Sequence, residues 1–383
     1  MLMNNLSAPG ECLLCGRCLE VCPIFKVTGR EELSPRGKGF LLRNYQQSGI
    51  TAKQTIALAE LCLGCRKCVE ACPQDLNLAM EIARLKSVHP DWKSWIWSRI
   101  LKSGMGALSS VKTAGTLIPQ AYPLLKNSLK TRPPVPAMFK ISGKKQNPET
   151  PAVIFPGCVG RYFRPELEEK ALQMLKTLGY NVLETPKWAC CGYPLGSAGL
   201  FQQEKNETLK NIELWDSIGR PLIFVFCATC LDGLCHPFAG HQDLKLWEPF
   251  TKRIRPLIKE LTNLRFEFIE PAKNTYVAWH EPCHGTAESG NFLKDIFHSH
   301  NQQLIMLDKE CCGMGGSFAI QNPGLSASIA SELWIKANLP PGALVLTNCS
   351  GCLLQLNATS PEHTRAAHWL EILQSDQHLV RFG

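Results

Sequence analysis

The chain has 383 residues, of which 45% are hydrophobic and 19% charged. That is enough for two or three domains with real cores, and too apolar for a disordered chain. It carries nineteen cysteines and a formal net charge of +8. Disulfide-dense proteins are usually small and secreted. The opening MLMNNLSAPG lacks the basic segment and apolar core of a secretory signal. Reduced, metal-ligating thiols in a cytoplasmic protein are therefore expected. No stretch reaches the ~18 consecutive apolar residues that span a bilayer. Any membrane contact should be peripheral, at the inner face.

The first cysteine run, ECLLCGRCLEVCP, places Cys12, Cys15, Cys18 and Cys22 at spacings of two, two and three residues, with Pro23 next. Fifty residues later LCLGCRKCVEACP repeats it with Cys62, Cys65, Cys68, Cys72 and Pro73. This is the bacterial ferredoxin spacing for [4Fe–4S] clusters. Three thiolates two residues apart wrap one cube from a tight loop. The fourth begins a helix that points away, and it ligates the other cluster. Cluster one is thus assigned to Cys12, Cys15, Cys18 and Cys72, and cluster two to Cys62, Cys65, Cys68 and Cys22. Zinc prefers two separated pairs and fits two uninterrupted four-cysteine runs poorly. Between the runs, LLRNYQQSGITAKQTIALAE has apolar residues at helical intervals. A helical ferredoxin domain over residues 1–90 is expected.

Residues 91–150 read as a linker with one or two helices. Between Asp91 and Glu149 there are ten basic residues and no acidic one, so the rest of the chain sums to −2. Trp92, Trp95 and Trp97 open the stretch, and Pro133, Pro134 and Pro136 mark its loose end. It is a solvated connector, a segment resting on anionic lipid, or a docking surface for an acidic partner. No nucleic-acid-binding motif accompanies the charge.

A second pattern occupies 151–270 and returns in 271–383. The first copy has Cys158 after AVIFPG, then CCG at Cys190, Cys191 and Gly192, then CATC at Cys227 and Cys230. The second has Cys283 after VAWHEP, CCG at Cys311, Cys312 and Gly313, and CSGC at Cys349 and Cys352. Corresponding cysteines lie 121 to 125 residues apart. AVIFPGC, LIFVFCATC, YVAWHEPC and ALVLTNCSGC are apolar runs ending in cysteine, as buried parallel strands would be. Their thiols would gather at strand carboxyl ends, where open α/β sheets place their sites. PELEEKALQMLKTLGY and NPGLSASIASELWIKANL read as intervening helices. The fold class expected is α/β with an all-α N-terminal part: a helical two-cluster ferredoxin domain, then two α/β modules related by a pseudo-twofold axis. Adjacent thiols are awkward for one tetrahedral metal and suit a multi-iron cluster.

Two ferredoxin runs with two CCG modules resemble the iron–sulfur subunits of glycolate oxidase, of anaerobic glycerol-3-phosphate dehydrogenase and of respiratory lactate dehydrogenases. The modules are also similar to the catalytic subunits of heterodisulfide reductase. The resemblance covers nearly the whole chain. SPRGKGFLL and CCGMGGSFAIQNPGL look most like the glycolate oxidase type, whereas the complete CATC pair looks more like the heterodisulfide reductase and glycerol-3-phosphate types. The resemblance implies one or two further, noncubane [4Fe–4S] clusters on the five cysteines of each module.

No G-x-G-x-x-G follows a strand, and no flavin or nicotinamide site is visible. Substrate oxidation is therefore expected in an FAD-containing partner chain. This chain would pass its electrons toward a quinone or other acceptor. The alternative is an enzyme that reduces a disulfide at a CCG-bound cluster. His236, His280 and His284 flank cysteines, where the chemistry allows a ligand, a proton relay or a donor to a cluster sulfur. The commoner role beside such motifs is structural. Cys235 reads as a core thiol. Asp232 and Glu281 stand near the motifs without an assigned role, and no catalytic residue is identified.

Overall fold

The computed structural model describes residues 12–48, 53–89, 134–143, 150–241, 243–269 and 275–375. The N-terminal part is helical, with Arg17–Val21, Pro23–Thr28, Pro35–Ser48, Lys53–Glu60, Lys67–Glu70 and Leu78–Val88. The tight cysteine loops need left-handed backbone, and each has it at two matching positions: Leu14 and Gly16 in the first, Gly64 and Arg66 in the second. Cys22 caps the helix that Pro23 opens, since proline at the first helical position has no amide to satisfy. The second run departs from that expectation. After Pro73 the chain turns through Asp75 at φ 51°, and the next helix waits for the Asn77 cap, whose Oδ1 accepts from the Met80 amide. Cys72 therefore starts no helix.

Past residue 150 the two modules share one plan. In the first, β2 (Pro151–Phe155), β3 (Asn181–Val182), β4 (Leu222–Val225) and β5 (Ile254–Pro256) form a parallel sheet in the order β3-β2-β4-β5. In the second, β7 (Val277–Trp279), β8 (Leu304–Met306), β9 (Leu344–Thr347) and β10 (Arg365–His368) form another in the order β10-β9-β7-β8. Both orders place the first strand between the second and third. Covered on both faces, the central strands are almost wholly apolar and buried: Ala152 to Phe155 in β2 and all of β9.

A third sheet joins the modules. β1 (Phe139–Gly143) runs antiparallel to β6 (Leu264–Phe268) and parallel to β11 (Leu373–Ser375), which end the first and second modules. Phe139 is fully buried among Phe266, Phe268, Phe297 and His300. The stretch read as a loose linker end thus contributes a core strand. Residues 91–133 and 144–149 of that stretch, with its tryptophans and expected helices, lie outside the described residues.

The ferredoxin part sits on both modules. Ile24, Leu33 and Leu63 share an apolar cluster with Cys311, Phe318 and Ile329 of the second module. Against the first, Arg66 binds both oxygens of Asp232 at 3.0 and 3.1 Å, and the Tyr193 hydroxyl donates to the Gly64 carbonyl at 3.0 Å.

Candidate iron–sulfur sites

The thiols of the two ferredoxin runs interleave. Cys12, Cys15, Cys18 and Cys72 line one cavity of about 500 Å³, which opens between the exposed side chains of Leu13, Leu14 and Phe40. Cys22, Cys62, Cys65 and Cys68 line a smaller space beside it, and Cys68 borders both. The first space thus takes three cysteines from the first run and two from the second, and the other takes three from the second run and one from the first. The reason is local: each left-handed loop curls three thiols inward, and the α-helical turn after it carries the fourth across. All nineteen cysteines are free. Burial pushes the Cys65 thiol up to about 12, and Cys22 is raised for the same reason.

Such a set fits a group that binds thiolates and spreads their charge. Its surroundings fit too. Lys38 is 2% exposed and donates its Nζ to the Leu61 carbonyl. Lys86 donates its Nζ to the Cys62 and Ser197 carbonyls, each at 3.4 Å. The buried Lys38 and the half-buried Lys86, beside Cys22 and Cys62, match the net negative charge of a thiolate-ligated iron–sulfur cube. Sequence reasoning passed over both lysines, although Lys38 lies inside the quoted SPRGKGFLL.

In each module the thiols collect at the carboxyl ends of the strands. Cys158 follows β2 and Cys283 follows β7, while Cys227 and Cys349 follow β4 and β9 and cap the next helices, Ala228–Cys235 and Ser350–Thr359. Cys349 Sγ accepts from the Cys352 amide at 3.5 Å, and Cys312 and Cys352 are 3.2 Å apart at sulfur. The modules meet at these caps. The Ser350 amide donates to Cys227 Sγ at 3.3 Å, Thr229 Oγ1 lies 3.1 Å from Cys349 Sγ, and the Ala228 amide donates to the Asn348 carbonyl at 2.8 Å.

Burial pushes the Cys158 thiol up to about 12 and Cys283 well above its usual range. Cys283 also feels the charges of Cys65, Cys312 and Cys349, and Cys311 that of Cys65. The second ferredoxin loop therefore borders the second module's thiols. Among the described residues, no three His, Cys, Asp or Glu donors converge as a single metal ion would require.

The histidines divide. His284 is buried, with Nδ1 3.3 Å from Thr229 Oγ1 and 3.5 Å from Cys283 Sγ, and its ring stands edge-on to Tyr193. His280 is 1% exposed, and its Nδ1 is 3.5 Å from Thr347 Oγ1. Burial lowers the pKa of both. His236 is exposed and bonds Asp232. Burial works to raise Asp232, but His236, His284 and Arg66 outweigh it and hold the carboxyl below its usual range. Glu281 accepts from the Trp279 indole at 2.8 Å. Cys235 packs against the core, and burial pushes it up to about 11.

Two family descriptions match this layout: a 4Fe-4S dicluster domain over residues 9–76, and a cysteine-rich (CCG) domain over both 152–234 and 277–357. Together they take in more than half of the chain, which belongs to the iron–sulfur proteins that join a dicluster domain to paired CCG domains. Among its relatives, the glycolate oxidase iron-sulfur subunit of Escherichia coli is 24% identical, over 95% of this chain and 93% of its own length. A subunit of the dihydromethanophenazine:CoB–CoM heterodisulfide reductase of Methanosarcina acetivorans is 26% identical, over 89% and 87%. A subunit of the anaerobic glycerol-3-phosphate dehydrogenase of Escherichia coli is 23% identical, over 94% and 96%. Among the described residues, no helix is long and apolar enough to cross a membrane.

Proposed function

We propose that this chain is the electron-carrying iron–sulfur subunit of a flavin-linked dehydrogenase that oxidises a 2-hydroxyacid, such as glycolate or lactate, or glycerol 3-phosphate. The observation that carries the reading is the unbroken succession of thiols. It begins at the exposed Cys15 and passes through the interleaved sets to Cys65. It continues at Cys283 and Cys311 and ends at the meeting of Cys349 with Cys227. In this reading Cys12, Cys15, Cys18 and Cys72 hold one [4Fe–4S] cube, and Cys62, Cys65, Cys68 and Cys22 the other. Cys158, Cys190, Cys191, Cys227 and Cys230, and their counterparts Cys283, Cys311, Cys312, Cys349 and Cys352, each hold a further cluster. Bound clusters of this kind take up and release electrons one at a time, at potentials set by the surrounding protein.

The residues divide the remaining work. Lys38 and Lys86 offset charge beside Cys22 and Cys62. Arg66, bonded to Asp232, fixes the second ferredoxin loop on the first module. A flavoprotein chain supplies the electrons, a quinone or similar acceptor receives them, and the chain works in the cytoplasm at the inner face of the membrane.

A specific observation supports a second reading, disulfide reduction. The CATC pair is complete, its Cys227 faces Cys349 across the module boundary, and heterodisulfide reductase subunits are among the relatives. Anaerobic purification with iron and acid-labile sulfide counted per chain, followed by EPR, tests the common core. Substantially more than about eight irons, with a signal distinct from the cubes, is expected. Zinc without sulfide would sink both readings. Reduction of candidate disulfides by the isolated chain, supplied with a reduced one-electron donor, would favour the second over the first.

A further inference from the structure

The helices that follow the two CCG turns, Phe201–Ser217 and Pro323–Ala337, correspond in position but not in chemistry. On the first, Glu204, Glu207 and Asn211 share one face, and all three are buried. Asn211 Oδ1 accepts from the Ala189 amide at 2.8 Å, and its Nδ2 donates to the Cys190 carbonyl at 3.0 Å. Glu207 Oε2 accepts from the Cys190 amide at 3.3 Å. Glu204 fills the space beside Gly192, where an added Cβ would meet its Cγ at 3.0 Å. Its two oxygens accept from the Phe238 and Ala239 amides at 2.9 and 2.8 Å.

The matching positions in the second module are Ser326, Ile329 and Leu333, also buried. Ser326 lies against Gly313 as Glu204 lies against Gly192, and its hydroxyl donates to the Gly313 carbonyl at 2.9 Å. One CCG turn is thus held by two carboxylates and an amide, and the other by a hydroxyl and two aliphatic side chains. The cations near the first turn leave charge over. Lys210 reaches Glu207 from an exposed position, and Arg66 is already engaged by Asp232.

We infer that Glu204 and Glu207 are positioning and tuning residues that make the first cysteine-rich module the lower-potential of the two. A fixed negative charge close to a redox centre, in a dry interior, disfavours adding an electron there. Ser326, Ile329 and Leu333 impose no such penalty, and the second module's carboxyls near its thiols are engaged, Glu281 by the Trp279 indole and Glu310 by Lys26 and Lys336. An electron arriving past Cys65 would settle on the second module, and the first would fill last. This rests on the proposed function, in which both modules hold clusters.

The test is an EPR-monitored redox titration of the anaerobic, cluster-loaded protein at pH 8.5, above the value of about 7 to which burial pushes Glu204. Cys158→Ser should remove the lower-potential of the two module signals. Glu204→Gln and Glu207→Gln should each raise that lower midpoint, by about tenfold in the reduction equilibrium, or ~59 mV for one electron. The higher midpoint should stay in place, and Ser326→Ala should move neither. If Glu204→Gln fails to fold, Glu207→Gln at the edge of the same face decides the matter. Folded variants with unshifted midpoints would overturn the inference alone, as would loss of the higher signal in Cys158→Ser. Iron at or below about eight atoms per chain would overturn it together with the part of the proposed function that places clusters in the modules.

Discussion

The two cysteine-rich modules have the same strand order and the same five thiols, yet their surroundings differ. The second shares its apolar cluster with the ferredoxin part and presents Cys283 and Cys311 to Cys65. The first meets the ferredoxin part through hydrogen bonds, the half-buried Arg66–Asp232 pair, the stacking of Arg66 on Phe238 and the core packing of Ala83, and its CCG turn rests on acidic side chains. The strands and their carboxyl ends decide where thiols collect. The helix after each CCG turn decides what electrical and mechanical environment they meet.

The sharpest way to break that comparison is at the glycines of the two turns. Gly313 has φ +86°, and an added Cβ would stand 2.5 Å from the Ser326 carbonyl oxygen, which as backbone cannot easily move. Gly192 has φ +88°, but there the obstacle is the Glu204 side chain at 3.0 Å, which can shift. Gly313→Ala should cost ~3 kcal/mol or more, and Gly192→Ala ~1–2 kcal/mol. Thermal unfolding of the anaerobic protein checks this. Equal losses would mean that both turns are equally yielding.

Much of this layout was legible in the sequence because the residues concerned have one stable place to go. AVIFPGC and ALVLTNCSGC have too many apolar side chains for a one-faced strand, so they read as central and parallel. The ferredoxin spacing likewise admits few loop shapes. β1 was not legible, because FKISG is short and lies in a basic, proline-marked stretch, and its partners β6 and β11 are more than a hundred residues away. Glu204, Glu207 and Asn211 were hidden for a different reason. FQQEKNETLKNIELWDS reads as a solvated helix, and only the packed fold turns that polar face onto the CCG turn. The one available signal was the repeat itself, which sets Ile329 and Leu333 against Glu207 and Asn211.

The buried indoles give the next largest effect. Trp279 Nε1 donates to Glu281 Oε2, while Glu281 Oε1 has no partner among the described residues. Trp188 in the first module donates to the Ile154 carbonyl at 2.8 Å. Trp279→Phe leaves a buried carboxyl without its donor and should cost ~2–3 kcal/mol. Trp188→Phe leaves only a carbonyl and should cost ~1–2 kcal/mol. Urea unfolding midpoints distinguish them, and a larger loss at Trp188 would reverse the expected ranking.

His368 joins the modules, with Nε2 3.2 Å from the Phe226 carbonyl, and burial pushes its pKa down to about 4. The unfolded chain takes up this proton near pH 6.5, and the folded one refuses it until about 4. The unfolded state therefore binds more protons within that window, and stability falls as pH drops through it. Between pH 7 and pH 5.5 the loss should be ~1.2 kcal/mol, a factor of about eight. His368→Gln should flatten this part of the stability profile. An unchanged slope would assign the acid sensitivity to other groups.

The smallest expected effect lies where the ferredoxin part touches the second module through charge. Glu310 Oε1 is 3.0 Å from both Lys26 of the ferredoxin part and Lys336 of the helix Pro323–Ala337. Burial works to raise its pKa, but bonds from Lys336 and Lys26 hold it below the usual carboxylate range. The stabilising contribution is therefore present above the unfolded carboxyl value and fades as pH falls below it. Both lysines are about one-third exposed, so Glu310→Gln should cost only ~0.5–1 kcal/mol. Most of that difference should vanish in 1 M salt, where the screening length is ~3 Å. Apolar contact through Ile24, Leu33 and Leu63 would keep the parts together. Separation of the ferredoxin part in high salt, seen as its selective proteolysis, would show instead that charge holds it in place.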